Sequence, residues 1–351
     1  RRRVEEENTM IKAPSKFLNE CERAPRLNEM FAFFSATAGG RSGAPQKNPV
    51  VDHRLLQFDS QLSRFAKVHQ TLWGNFDPHY FSSIPYRLEE EIRLGDALLE
   101  YGISKAQTAG QVGYYVLGAA EGTFARTLSS LAAGSILTLS CSPNEENKAS
   151  FYRAGRPQYS TFFLGPFHRL TSSFLATDVI LKPLAGKFDV ILEDTTFQMY
   201  SANRSAQIGF VKQYLRKDGI FIFVEKHKRD NQEEYLQREL QKDYGYKARY
   251  FSIVEMERKR ETILKRMNEN DVTLEAMALT IGEHFNHSCI TWNSGNFYTI
   301  AASNNADNLK ELAARMCDPC IPHEYVYEDL PSSLAGFSTI LPTFRRPTKQ
   351  S

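Results

Sequence analysis

Between Gly113 and Val224 short β-rich runs alternate with helical stretches, and that rhythm leaves the chain very few architectures. Gly113–Leu117, Ser135–Leu139, Ser160–Leu164, Phe188–Leu192 and Ile220–Val224 read as strands. Thr123–Leu131, Asn144–Arg153, Ser172–Leu181 and Ser205–Leu215 read as the helices between them. Parallel neighbours in one sheet need a crossover, and the right-handed helical crossover is the one that packs back onto the sheet. The spacing therefore predicts an α/β, Rossmann-like, doubly wound and mainly parallel sheet with helices on both faces. The longest apolar runs, such as Ile220–Val224, fall far short of the roughly 20 residues that span a bilayer, so no membrane partner is expected.

The flanks follow other patterns. Arg1 to Glu29 is charged and reads as helical or frayed; Ala36–Pro49, rich in glycine and proline, reads as a linker. Leu55, Leu56, Phe58, Leu62, Phe65 and Ala66 recur on one helical face, and Tyr86–Tyr101 predicts an amphipathic helix closed by Gly102. Residues 1–100 are thus expected to form a helical lid or substrate region over a core of 101–303. Within that core, Gln232–Asp243 predicts a helix, Arg249–Ile253 a further strand, a charged stretch at about 254–282 (Met256–Ile281) a helical insertion, and Asn296–Ala302 the last strand. Residues 304–351 are expected to give a C-terminal helix and an irregular tail.

Five scattered cysteines argue against a disulfide framework and fit a reducing, cytoplasmic setting. Cys317 and Cys320 form a lone CxxC, without the second pair a four-thiolate zinc site needs. A formal charge of +2 neither demands nor excludes a nucleic-acid partner. The chain starts at Arg1 rather than Met, which suggests a domain taken from a larger protein, and no charged-then-apolar leader opens it, so no secretion signal is expected. Oligomeric state leaves no mark in the sequence.

The first strand runs into Leu117-Gly118-Ala119-Ala120-Glu121-Gly122-Thr123, a turn of small residues that opens a helix. Small residues let a ligand approach the backbone, and a helix N-terminus presents free N–H groups. The turn lacks the Gly-Lys-Ser/Thr of a P-loop and the third glycine of the dinucleotide fingerprint. Further on, Phe188–Leu192 ends in Glu193 and Asp194, and Leu215–Gly219 leads into the apolar run Ile220–Val224 and then Glu225 and Lys226. In order and spacing, VLGAAEGTFARTL, KFDVILEDT and YLRKDGIFIFVEK resemble the first, fourth-strand and fifth-strand motifs of class I S-adenosylmethionine-dependent methyltransferases.

That resemblance implies S-adenosylmethionine as cofactor, held by Leu117, Gly118, Ala119, Ala120, Glu121, Gly122, Thr123 and Asp194. The family's usual acid two positions before the first glycine is Val116 here, and its acid after the second strand is missing; Ser140 and Ser142 are expected to take over the ribose contacts. Asp194, Lys226 and His227 lie past strands four and five and are the candidate catalytic groups, able to orient an acceptor or remove its proton. A weaker resemblance links the chain to FtsJ-type RNA 2′-O-ribose methyltransferases: Tyr86-Arg87-Leu88-Glu89-Glu90 stands where that family has Y-K-L-x-E, Asp194 and Lys226 match, and Asn296 replaces a late glutamate. Tyr86, Arg87 and Asn296 are accordingly candidate substrate contacts. Trp73, Phe76, Tyr80, Phe81 and Tyr86 are candidate walls of an acceptor pocket. The leading reading is methylation of a small-molecule metabolite or natural-product intermediate, free or carrier-tethered; RNA methylation and a non-catalytic scaffold are the alternatives. A divalent metal at Asp194, Glu225 and His227, or at His284 and His287 in helical spacing, is a weaker option and is not favoured.

Overall fold

The computed structural model describes residues 15–23, 26–337 and 343–346. Residues 1–14, within the expected frayed segment, therefore lie outside the described residues. Seven strands form one sheet in the order β3-β2-β1-β4-β5-β7-β6. In chain order, α1 (Ser15–Arg23), α2 (Arg26–Ala38), α3 (His53–Leu56), α4 (Ser60–Thr71), α5 (Phe76–Phe81) and α6 (Arg87–Ala109) precede β1 (Val112–Leu117). Then come α7 (Thr123–Leu131), β2 (Ile136–Ser142), α8 (Glu145–Arg153), β3 (Ser160–Leu164), α9 (Ser172–Thr177), β4 (Phe188–Asp194), α10 (Arg204–Lys212) and β5 (Leu215–Lys226). The last elements are α11 (Gln232–Leu240), α12 (Ile253–Lys259), α13 (Lys265–Asn268), α14 (Leu274–His284), β6 (His287–Ser294), β7 (Phe297–Ser303) and α15 (Ala306–Ala313).

β1 to β5 are parallel, and β7 runs antiparallel between β5 and β6. This is the expected Rossmann-like, doubly wound sheet. Side chains along each strand alternate between two cores, as period-two geometry requires. Val112, Tyr114 and Val116 face the layer that includes α4, α6, α7 and α15, while Tyr115 and Leu117 face the other layer with α10 and α14. Ile220, Ile222 and Val224 against Phe221 and Phe223 repeat the split on β5. Strand order reverses between β1 and β4, so their carboxyl ends diverge there and leave the crevice in which open α/β sheets bind ligands.

Several expected elements move. The helix expected to close at Gly102 runs through it to Ala109 and crosses the boundary expected near residue 100. Gly102 serves close packing instead: a Cβ there would stand 2.5 Å from both Ile136 and Tyr114. Arg249–Ile253 is not a strand. Ser252 and Glu255 form a reciprocal capping box, which draws Ile253 into the first turn of α12. The expected insertion at 254–282 is broken into α12, a π-turn at Arg260–Leu264, α13 and α14, and α14 buries Met277, Ala278 and Ile281 against the sheet. β6 escaped the sequence pattern. His284 ends α14 and His287 opens β6, so the two do not share a helix face. No described helix is long and apolar enough to cross a membrane.

The tail segment 343–346 returns to α6 and the start of α4, where Arg345 reaches Asp59 at 2.6 Å, Glu100 at 3.3 Å and Asp96 at 3.5 Å. Asp96 is 1% exposed. Burial first, and then the Asp59 and Glu100 carboxylates, push its pKa up to about 7 against the pull of Arg345. A raised carboxyl destabilises the fold as pH climbs from its unfolded value near 3.8 through 7, and the whole penalty is present above that. Asp96→Asn is therefore expected to stabilise the protein by about 1–3 kcal/mol at pH 8 and to do little near pH 4. Thermal melts of both proteins across that range check this; an equal effect at both ends would refute the charge argument.

Candidate functional site

The crevice at the β1/β4 switch holds a cavity of about 170 Å³. A single buried water needs only about 10–15 Å³, so the space is ligand-sized. Its floor is the glycine-rich turn. Gly118 and Gly122 adopt left-handed φ of 62° and 72°, and Ala120 is held at 43°, a conformation rare for a residue with a side chain. Gly118 is required for a second reason: a Cβ would lie 1.6 Å from Thr196 Oγ1, so the turn after β1 rests directly on the loop after β4.

Of the turn residues, Gly118, Ala119, Ala120 and Thr123 line the cavity. Leu117, Glu121 and Gly122 do not. Glu121 points to α5, where its carboxylate accepts the N–H groups of Asn75 and Phe76, both at 3.0 Å. It caps that helix from outside, and Thr123 Oγ1 donates to Asp77 Oδ2 at 2.7 Å beside it. The N-terminal helices are thereby fastened to the turn. Burial and the Glu121 charge push the Asp77 carboxyl well above the usual carboxylate range.

On the β2 side, Ser142 and Asn147 line the wall. Asn147 Nδ2 donates to Ser142 Oγ at 2.8 Å, leaving Asn147 Oδ1 buried with no partner. Ser140 is buried and off the wall, its Oγ likewise unpartnered. Asn147 had no signal in the sequence, because it lies on α8, past the end of β2 where Ser140 and Ser142 were singled out.

On the β4 side stands Asp194. Tyr80 Oη donates to its Oδ1 at 2.5 Å and Arg87 Nη2 to its Oδ2 at 3.0 Å. The same Arg87 Nη2 lies 3.1 Å from Glu91 Oε2, and Glu91 Oε1 meets His69 Nε2 at 2.8 Å. Trp73 Nε1, which can only donate, points at His69 Nδ1 at 3.0 Å. His69 must then carry its proton on Nε2 and give it to Glu91. Burial raises the Asp194 pKa, with Glu91 adding to it and Arg87 opposing. Glu91 is held below its ordinary value: burial raises it, but Arg87 and His69 together outweigh that. Of the two carboxyls sharing Arg87, Asp194 is thus the one poised to take a proton, and it is the one beside the β4 strand end.

The other sequence candidates divide. Lys226 lines the cavity, donating to Glu239 at 2.9 Å and Asn268 at 3.1 Å. Asn296 holds the other oxygen of Glu239 at 3.0 Å and does not reach the cavity wall. Arg87–Asp194 and Lys226–Glu239–Asn296 are two separate clusters. His227 lies behind the wall, edge-on to Tyr298, with neither ring nitrogen bonded; burial pulls its pKa down to about 3. Tyr86 packs against Tyr246 and Tyr325, away from the wall. Glu225 is ion-paired with Arg204 at 2.9 Å. Among the described residues no group of three or more His, Cys, Asp or Glu could hold a metal ion. Phe76, Tyr80 and Phe81 line the cavity, joined by Phe31 and Phe34 of α2; Trp73 stacks behind Phe81.

No family model matches this sequence, and no curated protein matches it. Solved structures similar to it include the plantazolicin methyltransferase BpumL in complex with SAH, at 11% identity and a TM-score of 0.41, over 72% of this chain and 100% of that one. A putative caffeoyl-CoA O-methyltransferase from Staphylococcus aureus aligns at 12% identity and a TM-score of 0.34, over 59% and 82%. A probable spermidine synthase from Corynebacterium glutamicum ATCC 13032 aligns at 12% and 0.38, over 66% and 72%.

Proposed function

We propose that the chain is an S-adenosylmethionine-dependent methyltransferase acting on a small metabolite or natural-product intermediate. One observation carries the reading: a single cavity at the β1/β4 switch is bounded by the bare backbone of Gly118–Ala120 on one side and by the half-buried carboxyl of Asp194, its pKa raised by desolvation, on the other. The residues fit the cofactor. Small residues line the floor, and the unpartnered Asn147 Oδ1, beside Ser142, is an acceptor suited to a nucleoside hydroxyl where the family places an acid. When bound, the cofactor supplies an electrophilic methyl group.

This chain's own residues would do the rest. Tyr80 and Arg87 hold both oxygens of Asp194 and fix its direction. Asp194 takes the acceptor's proton as its oxygen, nitrogen or carbon becomes nucleophilic. α2 and α5 cover the cavity with Phe31, Phe34 and Phe76 and keep water out.

Calorimetric titration with S-adenosylhomocysteine tests the reading. Saturable binding is expected; none by folded protein would favour a non-catalytic role for the fold. Asn147→Ala is expected to weaken that binding about 5–20-fold, the loss of one buried hydrogen bond of about 1–2 kcal/mol. Unchanged affinity would remove Asn147 from the cofactor's contacts.

A further inference from the structure

The wall of the cavity formed by α12 and by the segment after α11 is strongly basic. Lys242, Lys247 and Lys259 all line it, with Lys226 beside them. A π-turn at Gln241–Tyr246 carries the chain between Lys242 and Lys247, and in i→i+5 bonding residues five apart come to the same side. Two carboxylates serve most of these cations. Glu239 accepts Lys226 at 2.9 Å and Lys242 at 2.5 Å. Asp243 accepts Lys247 at 3.0 Å and Arg260 at 2.9 Å, with Lys242 at 3.6 Å. Asp271 is buried near Lys226 with both oxygens unbonded. Five cations thus face three carboxyls.

Lys259 has the least compensation. Its hydrogen-bond partners are neutral: His79 Nε2 at 2.7 Å and Ser83 Oγ at 3.0 Å. His79 Nδ1 lies 2.5 Å from the Gly43 carbonyl, which can only accept, so Nδ1 carries the ring proton and Nε2 accepts from Lys259. Two of the three ammonium donors are spent on neutral groups, and the remaining neighbour, the Phe33 ring at 5.8 Å, carries no formal charge either. An ammonium in a half-enclosed apolar pocket without a counter-ion is costly unless something supplies one. Burial and the Lys247 and Lys242 charges hold its pKa well below the usual lysine range, and Lys247 is itself drawn down to about 8.

We propose, resting on the methyltransferase reading, that the acceptor is an oxyanion: its carboxylate or phosphate sits on Lys259 with Lys247 and Lys242, and its apolar body lies along Phe76 and Phe34. The incoming anion supplies the missing counter-charge. Because it also favours the charged form of Lys259 and Lys247, binding near pH 8 draws a proton from solvent.

The test is calorimetry on the full chain saturated with S-adenosylhomocysteine, titrating phenyl phosphate, phenylacetate and benzyl alcohol at pH 8 in two buffers of different ionisation enthalpy. One or both anions are expected to bind, benzyl alcohol not, with a buffer-dependent heat that reports proton uptake. Lys259→Met is expected to lower anion affinity about thirty-fold and reduce the uptake to the share taken by Lys247, while leaving S-adenosylhomocysteine affinity unchanged. That unchanged affinity shows the variant is folded. Equal binding of benzyl alcohol, no anion binding, or an unaltered Lys259→Met would overturn the proposal. Failure of S-adenosylhomocysteine itself to bind would instead strike the methyltransferase reading, and the anion titrations on the unsaturated protein would still decide this one.

Discussion

Asp194→Asn is expected to lower methyl-transfer turnover about 10²–10⁴-fold, the usual contribution of a positioned general base, while S-adenosylhomocysteine binds almost as before. The substitution isolates proton transfer because the surroundings tolerate it. An asparagine keeps its carbonyl oxygen toward Arg87, and the Tyr80 hydroxyl, which now donates, can turn and accept from the new amide N–H. Geometry persists; only the capacity to take a proton disappears. Arg87 retains Glu91 as counter-ion, so no cation is stranded. The pH profile supplies a second reading. The Asp194 pKa lies above the ordinary carboxyl value, so wild-type turnover falls as pH drops through that raised value, and the acid limb should vanish in the variant. Turnover is followed as S-adenosylhomocysteine release, with the acceptor drawn from a metabolite pool screened with labelled cofactor. Wild-type rates in Asp194→Asn would remove the carboxyl from the chemistry.

What the sequence revealed and what it hid have one physical origin. The parallel strands are continuous apolar runs because both sheet faces are covered, and buried runs bounded by turns are readable by eye. The glycine turn is readable too, since only small residues survive the approach of Gly118 to Thr196. β6 was missed because its polar residues are satisfied by the hairpin turn, β7 and the tail: Asn293 donates to the carbonyls of Gly295 and Phe297 and accepts the Tyr327 N–H. Those partners are distant or local in ways no periodicity records. The site was half legible. Asp194 follows from its place at the end of β4 and Tyr80 from the aromatic residues ahead of α6, whereas Glu91 and Lys259 reach the cavity wall from α6 and α12, and His69 stands behind Glu91, with no motif to mark them. Arg87 and Asp194 were singled out from a resemblance, but their direct contact across 107 residues is a product of the fold. His227 shows the reverse failure: a titratable residue just past a strand end, where the rim was expected, that the fold turns inward beside Tyr298.

The same network makes Arg87 the side chain whose loss should cost the fold most. It is fully buried, and one of its nitrogens spans Glu91 and Asp194. Arg87→Met keeps much of the volume and removes the only cation bonded to either carboxylate among the described residues. Two acids are then left to face each other with His69, whose Nδ1 is already engaged by Trp73, and the Tyr80 hydroxyl as their polar neighbours. Breaking a buried ion pair from one side typically costs about 3–5 kcal/mol, and that loss is expected from urea unfolding at about pH 8. The sign of the pH dependence follows. Without Arg87 both carboxyls have folded pKa values above their unfolded ones, so the destabilisation grows as pH rises through the window between them and shrinks as acid protonates the pair. At about pH 5 the variant should recover much of the difference. Arg87→Met combined with Glu91→Gln should recover part of it at any pH, because the second substitution removes one stranded charge and a glutamine oxygen can still accept the His69 proton. A loss equal at both pH values, or a double variant no better than the single one, would mean that Arg87 matters through its packing rather than through the charge it places between Glu91 and Asp194.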